Sequence, residues 1–116
     1  MKTSLMTLDK PNLNGRVYST ELMQKAISAC TFPLPIERTS RFGSDTRGTV
    51  VGFASALAVE DGEVLAECDF LTDTMAELVR VGAMHVVSAG LGTVGPDGKV
   101  QGDYELTYLF LTDDPA

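Results

Sequence analysis

The sequence predicts a mainly β chain of the α+β class: a curved antiparallel sheet or small barrel with two flanking helices. Three observations carry this. Apolar and polar residues alternate over strand-length runs through most of the chain, turn signals such as Asp61-Gly62 and Pro96-Asp97-Gly98 separate those runs, and helical periodicity is confined to two short stretches. At 116 residues, 44% of them apolar, with Gly and Pro dispersed, residues 1–116 read as one globular domain.

Thr3 to Leu8 reads as an opening strand, closed by turn-forming Asp9, Lys10, Pro11, Asn12 and Asn14-Gly15. From Ser19 to Ala29 the period changes: Leu22, Met23, Ala26 and Ile27 fall at helical spacing, and Ser19 or Thr20 is placed to cap free backbone N–H groups. Thr31 to Gly48 holds two prolines and two glycines without sustained periodicity, and reads as one long loop. Thr49 to Val59 and Val64 to Phe70 pair antiparallel about Asp61-Gly62, where both positions tolerate positive φ. Thr74 to Val81 reads as a second helix, with Thr74 and Glu77 at capping-box spacing and Gly82 suited to its C-terminal end. Met84 to Val94 and Lys99 to Thr112 form the last strand pair. Tyr104, Leu106, Tyr108 and Phe110 alternate there with Glu105, Thr107 and Leu109, which predicts that Leu106, Tyr108 and Phe110 face the core.

Charge and composition exclude several functions. A formal charge of -7 argues against a wide nucleic-acid footprint, which needs clustered Lys and Arg. No apolar run approaches the roughly 20 residues that span a bilayer, and Met1 to Lys10 lacks the apolar core of a signal peptide, so neither membrane nor export is expected. Cys30 and Cys68 lack metal-ligand spacing and read as reduced, buried thiols. With one histidine, His85, there is no zinc motif, and no cofactor is expected. One segment stands apart in charge: Arg38, Arg41 and Arg47, three of the five arginines, fall within the predicted loop. They make it a contact-site candidate, the plainer reading being a surface loop with solvated charges.

Asn12-Leu13-Asn14-Gly15-Arg16-Val17-Tyr18, followed by a helix, resembles the opening signature of tailed-phage prohead proteases, which commonly read Asn-Arg-Asn-Gly-Arg-hydrophobic-Tyr-Pro. In the same order come Val51-Gly52 before a hairpin, Leu71-Thr72 before a helix, Val86-Val87-Ser88-Ala89-Gly90-Leu91-Gly92, and a closing strand from Tyr104-Glu105-Leu106 to Asp114-Pro115-Ala116. The resemblance implies a fold like the herpesvirus capsid protease, a β-barrel surrounded by helices, in proteins that trim scaffold and shell during head assembly.

The resemblance also implies a serine nucleophile, which maps to Ser88. The family commonly follows that serine with arginine and glycine; here Ala89-Gly90-Leu91 supplies only the glycine. The family's histidine base follows a Gly-Glu-Leu-Asp-His-Pro-like stretch. Glu37 in Pro35 to Arg41 is the candidate match for its glutamate, and the histidine position aligns near Ser40. His85 cannot substitute on an extended strand, because residues three apart lie about 10 Å apart on opposite faces. A bulge, or a histidine from another subunit, would be needed. Lys10, Lys25 and Lys99 fall at turn or helix-surface positions, away from a buried base's place. Without the resemblance, Ser88 reads as a small residue easing a tight approach, and Asn12 to Tyr18 as a turn into a helix.

The expectation is therefore a virion structural protein of the phage head: a decoration or cement protein on a catalytically inactive protease-like fold, made in the host cytoplasm. It would self-associate or occupy many sites on the major capsid protein shell, with Arg38, Arg41 and Arg47 as the contact. The alternatives are an active prohead maturation serine protease with Ser88 as nucleophile, and a head assembly factor.

Overall fold

The structure, a computed structural model, describes residues 1–38 and 48–113. In chain order the elements are β1 (Lys2–Thr7), α1 (Thr20–Ser28), β2 (Leu34–Arg38), β3 (Thr49–Glu60), β4 (Glu63–Phe70), α2 (Asp73–Arg80), β5 (His85–Ser88), β6 (Leu91–Val94), β7 (Val100–Glu105) and β8 (Leu109–Thr112). Six strands form one sheet in the order β1-β4-β3-β2-β8-β5, and β6 with β7 makes a separate two-stranded ribbon. The mainly β class, the curved sheet and the two helices are as the sequence predicts.

Register shifts between Ser4 and Met6, between Ile36 and Glu37, and between Ala54 and Ala56 bend the sheet. Its edges, β1 and β5, come back within 8 Å of each other, Cα to Cα, without pairing. The result is a nearly closed barrel with one seam. Met23, Ile36, Val64, Val86 and Leu109 are fully buried inside it.

Local chemistry explains the elements that were read correctly. Ser19 caps α1 by accepting from the Leu22 N–H, and Met23 and Ala26 bury its inner face. Asp61 and Gly62 take φ of 49° and 77°, the geometry that a two-residue turn between right-twisted strands requires. Gly82, at φ 79°, follows the C-terminal end of α2.

Four expectations need correction. Thr72, not Thr74, caps α2: its hydroxyl accepts from the Met75 N–H, so the helix starts one residue earlier. The predicted long loop contains β2, an interior strand antiparallel to β3 and parallel to β8. Pro35 is tolerated there because it falls one residue before pairing with β8 begins at Ile36. The predicted strands 84–94 and 99–112 each break in two, so that β5 pairs with β8 in the barrel while β6 pairs with β7 in the ribbon. Finally, β8 is buried on both sides: Leu109 and Leu111 face the core with Leu106, whereas Phe110 lies on the opposite side against half-buried Tyr108.

Ser40, Arg41, Arg47 and Asp114-Pro115-Ala116 lie outside the described residues. Cys30 and Cys68 are free thiols, the second fully buried and pushed up to about 11 by desolvation.

Candidate functional site

The seam between β1 and β5 gathers most of the residues singled out in the sequence. The Asn12–Tyr18 segment folds against it as a tight loop. Asn12 Oδ1 accepts from the N–H groups of Asn14 and Arg16 at 2.9 and 3.0 Å, and the Arg16 carbonyl accepts from the Asn12 N–H at 2.9 Å. Gly15 takes φ 74° at the apex, and its carbonyl lies so close to Gly98 that a Cβ there would sit 2.2 Å away. The signature is thus a built turn, fixed to the ribbon through Val17, whose N–H donates to the Gly98 carbonyl at 2.9 Å.

Ser88 ends β5, in register with Leu109 and through it with Ile36. It lines a cavity of about 410 Å³ together with Asn12, Asn14, Arg16 and Tyr18. Its oxygen is already engaged, for the Tyr104 hydroxyl donates to Ser88 Oγ at 2.9 Å. Tyr104 packs edge-on against Tyr18, ring centroids 5.5 Å apart. Burial pushes the Tyr104 phenol up to about 12, against the Ser88 hydroxyl and the Gly90 backbone N–H, both of which favour its anion. It is a neutral donor across the physiological range.

The glycines after Ser88 have a packing explanation. A Cβ on Gly90 would fall 2.2 Å from the Tyr104 ring, and one on Gly92 would fall 2.9 Å from it. Tyr104 therefore occupies the space beside the backbone of Gly90 and Gly92, where the chain passes from β5 to β6.

A serine becomes a nucleophile when a base takes its proton. His85 is three residues back on the four-residue strand β5, in register with Thr112, and it lines an adjoining cavity of about 500 Å³. Alternation along the strand puts it on the side opposite Ser88. Buried Glu37 is in register with Phe110, which is in turn in register with Val87, one position from the Ser88 row and so on the other side of the sheet. Arg38 is exposed at the end of β2. The structure thus brings Ser88 to the Asn12–Tyr18 loop and brings neither His85 nor Glu37 to its hydroxyl. No cluster of His, Cys, Asp and Glu suited to a metal occurs among the described residues.

Two features escaped the sequence reading. Tyr104 was read as a strand residue, one position of an alternation and the start of the closing-strand match, with no contact to Ser88 foreseen, and Lys10 and Arg16 were not recognised as flanking the seam. The signal for the first lay in Gly90 and Gly92, which needed a bulky neighbour to explain them.

No protein-family model matches the sequence, and no curated protein matches it. Among solved structures, it is similar to the bacteriophage T4 capsid assembly protease, gp21, with a TM-score of 0.69 at 17% identity over 99% of this chain and 82% of that one. At that identity the likeness is one of fold: the nearly closed, curved sheet with two helices is a prohead-protease-like fold.

Proposed function

We propose that this chain is a phage head protein that uses a capsid-protease-like fold for attachment and not for cleavage, present in many copies on the shell of the major capsid protein. The observation that carries the reading is the Tyr104–Ser88 hydrogen bond: the candidate nucleophile accepts a proton donor of pKa about 12 and has no base beside it among the described residues. The fold likeness to a capsid assembly protease supports the head context. Arg38, with Arg41 and Arg47, remains the proposed capsid contact, since guanidinium groups pair bidentately with carboxylates.

The protease reading is favoured by one observation, that Ser88 lines an open cavity with Asn12, Asn14 and Arg16. Fluorophosphonate labelling separates the two. The attachment reading expects no labelling and a copy number in purified mature particles stoichiometric with the shell protein. Labelling that is lost in Ser88→Ala overturns it, and absence from mature particles points to a protease or a head assembly factor.

A further inference from the structure

The acidity of the chain is concentrated on the outside of the barrel, on the face formed by β1, β4 and β3. Gly48 to Val79 holds seven carboxylates and no Lys, Arg or His. Alternation along β4 sends Val64, Ala66 and Cys68 into the core, so Glu63, Leu65, Glu67 and Asp69 point outward. The register places Phe53, Ala56, Ala58 and Glu60 of β3 opposite Asp69, Glu67, Leu65 and Glu63, and Lys2 and Ser4 of β1 opposite Glu67 and Leu65. Four carboxylates thus share one face with an apolar row of Phe53, Ala56, Ala58 and Leu65.

The arrangement is costly for the isolated chain. Like charges directly opposite on an antiparallel pair repel, and Glu60 faces Glu63 next to the β3–β4 turn. The compensation within the chain is slight: Lys2 comes no nearer to Glu60 than 3.9 Å, the Met1 amine lies 3.6 Å from Glu67, and Ser4 donates to Glu63 at 3.0 Å. Among the described residues nothing covers the face. Ser4, Ala56, Ala58 and Asp69 are exposed, and Phe53 is 38% exposed. A cationic partner would relieve the repulsion and bury the apolar row at once.

We infer that this face docks a basic amphipathic helix of a partner protein, its apolar stripe on Phe53, Ala56, Ala58 and Leu65 and its Lys or Arg side chains paired with Glu60, Glu63, Glu67 and Asp69. Phe53 to Glu60 spans about 20 Å, the length of about four helical turns. The small side chains of Ala56 and Ala58 let a helix approach closely, and a helix laid on a sheet face buries both apolar surfaces. An extended segment would need a free strand edge to pair with, and this is a face. Phosphate-bearing partners are repelled by it. Among the described residues no group of carboxylates is close enough to hold a metal ion. The inference goes beyond the attachment reading: the proposed Arg38 contact meets carboxylates, this face meets cations, and either can fail alone.

The test is fluorescence polarisation with a fluorescein-labelled Lys, Leu and Ala peptide patterned as an amphipathic helix, against a scrambled peptide of the same composition and a Gln-for-Lys counterpart. Wild type should bind the patterned Lys peptide, with affinity falling as salt rises, and should bind both counterparts at least about tenfold more weakly. Glu63→Gln with Glu67→Gln and Asp69→Asn should weaken binding at least about tenfold. Ala56→Gln with Ala58→Gln, which keeps every charge but raises the apolar row, should do the same. Glu21→Gln with Glu105→Gln, which removes exposed carboxylates elsewhere, should leave binding unchanged. All these are surface changes, and circular dichroism verifies the fold. No binding by folded wild type, or equal weakening by the Glu21 and Glu105 variant, overturns the site. Equal binding of the scrambled peptide reduces the face to unspecific charge attraction and overturns the helix. None of these outcomes touches the copy number or labelling that decide the attachment reading.

Discussion

Tyr104 reaches from the ribbon to the last residue of β5, donating its phenolic proton to Ser88 Oγ at 2.9 Å with its ring laid over Gly90. This contact fastens the β6–β7 ribbon to the barrel beside the seam.

The two side chains should be energetically coupled. Tyr104→Phe removes the donor and keeps the ring, for a loss of about 0.5 to 1.5 kcal/mol. Ser88→Ala leaves a buried hydroxyl without this acceptor and should cost about 1 to 3 kcal/mol. In urea denaturation the double variant should be less destabilised than the sum of the singles; strict additivity would show that the hydrogen bond contributes nothing.

Gly90→Ala should destabilise by about 1 to 3 kcal/mol, because the new methyl group and the Tyr104 ring claim the same space. In a Tyr104→Ala background the same change should cost far less. Equal costs in both backgrounds would mean that something other than the ring requires glycine.

Stability should fall at alkaline pH. Burial raises Cys68 from 9.0 to about 11 and Tyr104 from 10.0 to about 12. Both groups are neutral when protonated and hold their protons more tightly in the folded chain. Their contribution is complete below the unfolded values of 9.0 and 10.0 and is lost as pH rises through the folded ones. Unfolding free energy from urea titrations should therefore decline from about pH 9 to 12. Cys68→Ala should flatten the lower part of that decline and Tyr104→Phe the upper part. A stability unchanged across the window would contradict the burial of both groups.

Leu109→Ala should cost about 2 to 5 kcal/mol, since the side chain is fully buried between β2 and β5. Tyr108→Ala, at a half-buried position on the way into β8, should cost less. Thermal melts that rank the two in the reverse order would move the core to the other side of the strand.

What the sequence revealed follows the range of the forces involved. The cap of α1 and the Asp61-Gly62 turn are decided within a few residues, and both were legible. β2 was not, because its five residues include Pro35 and gain their strand geometry from β3 and β8, both distant in the chain. The break at Ala89-Gly90 was hidden for a similar reason: alternation runs straight through it, and the ring packed against it belongs to Tyr104, distant in the chain. Thr72 and Thr74 both had the composition of a cap, and only the backbone geometry at Thr72 separates them. At the site, Ser88 and the Asn12–Tyr18 loop were each legible alone. Their meeting at one seam depends on the order of six strands, and local pattern carries no record of it.

The position of β8 has a consequence for when the protein can fold. It is the last strand in sequence among the described residues, yet it lies inside the sheet, with Leu109 joining Ile36 of β2 to Ser88 of β5. Until residues 109–112 have been made, β2 has only β3 beside it and β5 has no neighbour to pair with. The nascent chain can form the β3–β4 hairpin and α1, but barrel closure waits for residues 109–112 to emerge. Folding is therefore completed after synthesis of the whole barrel, in a slow step governed by long-range pairing.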